Sequence, residues 1–431
     1  MRSRLIICLV VVFCGAQTFA QGVLTPEQAV ELALKNNYDI LLAKNEAEIA
    51  ARNNTVGNAG MLPRVDAYVT DNYVLNNLNQ KLTTGTEIKK NNASGNTVGA
   101  SVALNWTLFD GLRMFATKGR LNKLEEIGEL QYKDQLQTAV ADVLNSYYGI
   151  VGAKQQLVAI QEAISISEER VKLADMKFQV GTAGKTDLLQ AKVDLNAQKS
   201  NAINQRKVIT QRKAALNALL ARAAETDFDV LDTIPVNPDL GLSADLDNKN
   251  FQLQAAMKNV DVAKYQKKEA FSFLLPDLTG TVGYGYSRAQ NSAGFSLFNQ
   301  AYGLNAGFTL HIPLFNGLNT LREVKIASIN ILNSQFNLER ARFQVKLSYY
   351  SALRDYQDAK ELLALEQENI QLADENQKIA LERFRLGQST SIELREAQIS
   401  YVDARTRLVN ARYGAKVAEN ELLRLQGELV K

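Results

Sequence analysis

The sequence has very little cysteine and histidine. Its 431 residues include two cysteines and one histidine, and both cysteines, Cys8 and Cys14, lie in an apolar segment near the N-terminus. A mature chain that has lost this segment has no thiol, which excludes disulfides, thiolate metal sites and a cysteine nucleophile. A single histidine, His311, also removes most histidine zinc sites and Ser-His-Asp triads. No metal site, no cofactor and no enzymatic activity are therefore expected.

Long apolar runs and an excess of charge of one sign are also missing. After residue 20 no run of 18 or more apolar residues remains, so a membrane-spanning helix, which needs roughly 20 apolar residues, is not expected. Lysine and arginine number 49 against 46 aspartate and glutamate residues. This balance gives no indication of a nucleic-acid partner, which normally requires a basic patch or stripe. A chain without an apolar helix of that length enters a membrane only as β-strands.

The first 20 residues are predicted to be a signal peptide. Arg2 and Arg4 precede the apolar run from Leu5 to Phe13, and residues 18–20 (Thr-Phe-Ala) form a suitable cleavage site. Lipidation at either cysteine is not expected, because each follows a bulky residue where a small one is needed. The mature chain is therefore predicted to be exported.

The remaining sequence consists of two copies of one unit. The segment from Leu104 to Gly111 (Leu-Asn-Trp-Thr-Leu-Phe-Asp-Gly) recurs as Leu310 to Gly317 (Leu-His-Ile-Pro-Leu-Phe-Asn-Gly), at an offset of 206. The same offset of 206 relates residues 178–181 to residues 384–387. Such a duplication predicts two tandem structural repeats. These are assigned to residues 21–225 and 245–431, joined by a linker at residues 226–244.

Each copy is predicted to contain a helix, a β-hairpin and a long helical hairpin, a mainly α fold with a small β part. Thr25, Pro26 and Glu27 are typical of a helix start, and this first helix is predicted to run to about Gly60. Alternating apolar residues predict β-hairpins at residues 64–108 and 277–312, with polar loops near residues 76–96 and 287–300. Helical periodicity predicts long helical hairpins at residues 112–222 and 318–427. Helices of roughly 100 Å, at 1.5 Å per residue, must pack lengthwise against other helices.

Four predicted strands per chain are too few to close a membrane barrel. Bacterial barrels begin at about eight strands, and an open sheet edge in lipid leaves backbone groups unpaired. Either the strands lie outside a membrane, or several copies pool them, and three copies would supply twelve. The first alternative describes a soluble periplasmic coiled-coil scaffold or adaptor protein, and the second describes a channel.

The sequence resembles the TolC-like outer-membrane efflux proteins over essentially all of the mature chain. The resemblance rests on the opening segment from Leu24 to Asn37, the Leu-Pro before each hairpin, the Leu-Phe-(Asp/Asn)-Gly after it, and the Phe-x-x-Gly turn followed by an acidic-Leu pair. It implies a homotrimer with a 12-stranded β-barrel in outer-membrane lipid, continued by an α-helical periplasmic barrel. It also implies a passive exit duct of a tripartite efflux or type I secretion system, docked to a periplasmic adaptor (membrane fusion) protein and an inner-membrane pump.

The resemblance also implies a channel constriction at Glu393 and Glu396. These residues are three positions apart on one helix and so share a face, and a ring of such carboxylates in three copies selects cations. The alternative is that both are solvated surface glutamates.

The periplasmic tip turns are implied to dock the adaptor and to hold the tip closed. The residues matched to them are Phe178, Gly181, Asp187, Phe384, Gly387 and Ser389. Phe384 and Ser389 depart from the family pattern of Tyr and Arg, and Arg383 and Arg385 are nearby cations that could substitute. Both glycines are predicted to end helices in the left-handed conformation. His311, in a strand without an evident partner, is interpreted as structural.

Overall fold

The computed structural model describes residues 23–237, 240 and 245–430. The predicted signal peptide, both cysteines and residues 238, 239 and 241–244 of the predicted linker lie outside the described residues. The helices are α1 (Pro26–Asn36), α2 (Tyr38–Asn53), α3 (Arg113–Gln179), α4 (Lys185–Leu219), α5 (Leu246–Lys249), α6 (Phe251–Ser272), α7 (Asn319–Arg385) and α8 (Ser391–Leu425). The strands are β1 (Val23–Leu24), β2 (Arg64–Lys81), β3 (Glu87–Asp110), β4 (Asp229–Val230), β5 (Asp277–Asn291) and β6 (Phe298–His311).

The long helices of the two copies have identical lengths. α3 and α7 each have 67 residues, and α4 and α8 each have 35. In both copies a β-hairpin precedes the 67-residue helix. Within the described ranges no helix is both long enough and apolar enough to cross a bilayer. The prediction of a mainly helical fold with a small β part and two tandem repeats is thereby confirmed.

The chain divides into two compact units, and each takes segments from both copies. The first unit contains the described residues of Met1–Leu41, Leu136–Leu242 and Tyr349–Lys431, and the second contains those of Leu42–Gln135 and Ser243–Ser348. The units therefore do not coincide with the predicted repeats. The second unit is mixed because β3 of the first copy pairs with β5 of the second copy.

In the second unit the four long strands form one antiparallel sheet with two different faces. The strand order is β2-β3-β5-β6. The pairing register places large apolar side chains on one face: Val65, Val69, Val102, Leu104, Trp106, Val282, Tyr284, Leu304 and Phe308. Alternate positions place mostly small or polar residues on the other face, among them Ser101, Asn105, Thr281, Gly283, Asn305 and Gly307. This alternation is the strand period of two seen in the sequence.

The strands run farther than the sequence predicts. β2 continues to Lys81 and β3 begins at Glu87, so most of the predicted loop at residues 76–96 is paired strand. β5 ends at Asn291 and β6 begins at Phe298, which shortens the predicted loop at residues 287–300 in the same way. The polar residues did not end the strands, because antiparallel pairing satisfies their backbone groups while most of their side chains stay exposed.

The predicted first helix is broken and is shorter than expected. It breaks at Asn37 and ends at Asn53, not near Gly60. The Asn37 Oδ1 accepts the backbone N–H of Asp39 at 2.9 Å, which starts α2 anew. Its Nδ2 donates to the carbonyl of Leu219 at 2.8 Å, so this buried side chain also holds the end of α4.

Part of the predicted linker belongs to the core of the first unit. β4 pairs in parallel with β1. The Tyr147 hydroxyl donates to the carbonyl of Leu24 at 2.7 Å and accepts the backbone N–H of Leu231 at 3.0 Å. Phe228 and Ile234 are buried in the same apolar cluster. Residues 228–234 are therefore packed segments of the unit and not a free connection.

His311 has a partner that the sequence did not reveal. Its Nδ1 lies 2.7 Å from Oδ1 of Asp277, the residue opposite it in the β5–β6 pairing. The expectation of a histidine without a partner is wrong, because the register that brings the two residues together is not visible in the sequence.

Candidate functional site

The two turns that join the long helices have the same backbone geometry. Gly181 and Gly387 follow α3 and α7 in the left-handed conformation, with φ of 78° and 73°. In both turns the backbone N–H after the glycine donates to a carbonyl five residues earlier, at 2.9 and 2.8 Å. Glycine adopts a positive φ without a side-chain penalty. Both left-handed glycines are confirmed.

The helices that follow the turns begin differently. Thr390 caps α8, because its Oγ1 accepts the backbone N–H of Glu393 at 3.2 Å. α4 begins after Gly184, which offers no side-chain cap. Asp187 and Glu393 lie in the first turns of α4 and α8, where the positive end of the helix dipole favours a carboxylate. The start of α8 is therefore the more firmly defined of the two.

Glu393 and Glu396 form an exposed acidic pair on α8. Both side chains are exposed, whereas the residue that follows Glu393 and the one that follows Glu396 are buried. In the described part of the chain neither carboxylate takes part in an ion pair. Arg395, which lies between them in sequence, instead faces Asp194 with its Nε 3.7 Å from the carboxylate. One copy of the chain thus leaves the charge of both glutamates uncompensated.

Phe384 is packed against the first copy's long helix. It is 4% exposed, whereas Phe178, its counterpart in the first copy, is 39% exposed. The Lys177 Nζ lies 4.0 Å from the centre of the Phe384 ring and donates to the Phe384 carbonyl at 3.1 Å. A cation–π contact and a hydrogen bond therefore join α3 to α7 close to the turns.

Arg385 reaches the first helical hairpin, whereas Arg383 does not. The Arg385 Nε donates to Glu169 Oε1 at 2.8 Å, and Glu382 is a second partner. The hydrogen bond that Arg385 donates to Glu169 is the main cause that raises the pKa of Arg385. Arg383 stays within its own turn, where Nη2 donates to the carbonyl of Gln388 at 3.3 Å.

Within the described residues of one chain, no hydrogen bond joins Asp187, Phe384 and Ser389 to one another. Asp187 is exposed, and the Ser389 hydroxyl oxygen is buried with no partner among the described residues. Sequence reasoning missed the contacts of Lys177 and Glu169. Their partners lie 207 and 216 residues away along the chain, and no local motif marks such a pairing.

Known proteins share this architecture. The crystal structure of the Campylobacter jejuni CmeC outer membrane channel superposes with a TM-score of 0.81 at 19% identity, over 94% of this chain and 86% of that chain. Outer membrane protein TolC of Escherichia coli is 22% identical over 339 residues, which is 75% of this chain and 68% of that protein. Alkaline protease secretion protein AprF of Pseudomonas aeruginosa is 25% identical over 340 residues, 74% of this chain and 66% of that protein.

The sequence model of one family matches both copies. The model of the outer membrane efflux protein family covers residues 29–222 and 242–428. This match includes both helical hairpins, both turns and all four strands of the large sheet. It favours a channel over a soluble periplasmic scaffold. The chain therefore belongs to the outer membrane efflux protein family and is an outer-membrane protein of efflux and secretion transport.

Proposed function

We propose that three copies of the chain form a passive channel through the outer membrane. The observation that carries the proposal is the four-stranded sheet with one apolar face and one polar face. Its edge strands are β2 and β6, and unpaired edges are not tolerated in lipid. If β6 of each chain pairs with β2 of the next chain, three chains give twelve strands, which is enough to close a barrel.

The sheet has the dimensions that this arrangement needs. A transmembrane strand takes about 9–11 residues, and β6, the shortest of the four, has 14. The apolar face then contacts lipid, and the polar face lines a water-filled passage. The chain supplies a path and no bond chemistry, so the energy for transport comes from a partner pump in the inner membrane.

α7 offers a further surface for assembly. Ile329, Phe336 and Phe343 recur at seven-residue intervals and are 56%, 70% and 70% exposed. A seven-residue apolar repeat is the pattern of a helix that packs lengthwise on another helix. A helix of a neighbouring chain is the partner that fits this row of exposed apolar residues.

The turns at Gly181 and Gly387 are the proposed docking region for a periplasmic adaptor protein. The residue before each glycine is a large apolar side chain in open solvent: Val180 is 73% exposed and Leu386 is 71% exposed. Exposed apolar groups on a well-defined turn suit contact with a partner. Phe178, Asp187, Phe384 and Ser389 belong to the same proposed region.

Glu393 and Glu396 are the proposed channel constriction. Three copies would place six carboxylates around one axis, and fixed negative charge favours cations. Replacing both residues with glutamine is expected to lower the K⁺ to Cl⁻ permeability ratio about fivefold, the factor that about 1 kcal/mol of attraction gives. The reversal potential of single channels in a KCl gradient measures this ratio.

Asp403 provides a matched control on the same helix, since it is another exposed acid of α8. Asp403→Asn is expected to leave the permeability ratio unchanged. If the double glutamine variant conducts with the unaltered ratio, both glutamates are ordinary surface residues and the constriction lies elsewhere.

A further inference from the structure

A small cavity with a charged lining lies between α3, α4 and α8 in the first unit. Its volume is about 130 Å³, and its lining includes Arg170, Asp194, Gln198, Arg395 and Gln398. Arg170 is 2% exposed and Gln398 is 7% exposed. Since a water molecule takes about 30 Å³ of liquid volume, the cavity has room for a small ion and a few waters.

One carboxylate in this cavity serves two guanidinium groups. Arg170 Nη2 donates to Asp194 Oδ2, and Arg395 Nε lies 3.7 Å from the same oxygen. The other oxygen of Asp194 accepts from Gln190 Nε2 at 2.8 Å. These two arginines and one aspartate are the charged residues of the lining, so the lining carries one net positive charge. The buried Arg170 is the guanidinium paired most closely with Asp194, whereas the Arg395 side chain is 49% exposed and also meets solvent.

Three polar groups of the lining have no partner among the described residues. Arg170 Nε and Gln398 Nε2 are buried donors without an acceptor, and Gln198 Oε1 is buried without a donor. The one contact between Arg170 and Gln398 is long, with Nη1 3.4 Å from Oε1. The two ends of a glutamine amide are interchangeable by rotation, so turning Gln198 would provide a third donor. Without this rotation the lining already has, among the described residues, two unpaired donors against one unpaired acceptor, so donors are in excess.

We propose that this cavity binds a small monovalent anion of the size of a halide. The anion accepts from Arg170 Nε and Gln398 Nε2, and it neutralises the positive charge that Asp194 alone leaves uncompensated. It thereby joins α3, α4 and α8 through one shared ligand. A cation is repelled by the two guanidinium groups, and water would satisfy the donors without neutralising the charge.

The ion pair of Arg170 and Asp194 occurs only in the first repeat of the chain. At the offset of 206, Arg170 and Asp194 correspond to Asn376 and Ser400. The second copy builds helices of the same lengths without this pair. The shared fold therefore does not require a buried arginine at this position, whereas an anion site does.

Bromide tests the site, because it is a halide with an anomalous scattering signal. Crystals of the full-length protein soaked in sodium bromide are expected to show an anomalous peak within hydrogen-bond distance of Arg170 Nε and Gln398 Nε2. In solution, replacing sodium gluconate by sodium bromide at constant ionic strength is expected to raise the unfolding temperature by about 2–4 °C. Gln398→Leu is expected to abolish both effects.

Gln377→Leu is the matched control. Gln377 is a buried glutamine of α7 whose side-chain oxygen also lacks a partner in the described ranges, and it does not line the cavity. This variant is expected to keep the increase in bromide, whatever its own unfolding temperature in gluconate. Water alone in the cavity, or a bromide response equal in Gln398→Leu and the native protein, would overturn the proposal.

Discussion

Replacing Leu304 with arginine is expected to remove most of the protein from the outer membrane. Leu304 lies on the apolar face of β6, opposite Tyr284, and is 72% exposed in a single copy. An arginine on the lipid face of a membrane barrel costs about 2–4 kcal/mol near the bilayer midplane. Three copies would triple this cost for one assembly. Immunoblotting of separated outer-membrane and soluble fractions, with detection of the unboiled oligomer, measures the loss.

Asn305 supplies the control for this experiment. It is the next residue of β6, and the register places it on the polar face opposite Gly283. Asn305→Arg is expected to assemble normally, since its side chain would enter the water-filled passage. Equal losses for the two arginine variants would contradict the assignment of the faces to lipid and water.

Replacing Gly111 with alanine is expected to destabilise the protein by roughly 2–4 kcal/mol. Gly111 connects β3 to α3 with a φ of +68°, a conformation that alanine adopts only with strain. A Cβ on Gly111 would also lie 2.4 Å from the backbone carbonyl oxygen of Ser272 and 2.9 Å from Leu275 Cβ. A backbone atom cannot be displaced as a flexible side chain can. The unfolding temperature of the purified protein, followed by circular dichroism, measures the effect.

Gly317 provides the control for the Gly111 substitution within the same chain. It is the equivalent glycine of the second copy and has the same φ of +68°. A Cβ on Gly317 would meet nothing closer than Asn319 Nδ2 at 3.6 Å. Gly317→Ala is therefore expected to cost about 1 kcal/mol, the conformational strain alone. If both alanine variants unfold at the same temperature, the close approach to Ser272 is not a determinant of stability.

Local signals in the sequence were sufficient for the four long helices and for the turns that join them, but not for the first helix, which breaks at Asn37. The absence of proline and a steady helical period predicted the long helices, and the duplicated Phe-x-x-Gly motif located both turns. Gly181 and Gly387 could be assigned a left-handed conformation because a turn after a long helix commonly needs a residue without a side-chain penalty there. These features depend on residues close together in the chain.

Features that depend on distant pairing could not be predicted in this way. The ends of β2 and β3 were missed because Asn76 and Lys81 are polar, yet each has a partner in the ladder. The contacts of Arg385 with Glu169 and of Lys177 with Phe384 join a helix of the first repeat to a helix of the second repeat in the same chain. The geometry of these contacts depends on how the helical hairpins pack against each other, and that packing cannot be inferred from one sequence.

The central claim is that three chains contribute their strands to one barrel. The most direct test is the particle mass of the full-length protein after detergent extraction from the outer-membrane fraction. The chain of 431 residues has a mass of 47.7 kDa. A detergent-corrected mass of three mature chains is expected, because three four-stranded sheets close a barrel and one does not. A particle with the mass of a single chain, or protein found only in the soluble periplasm, would contradict the channel.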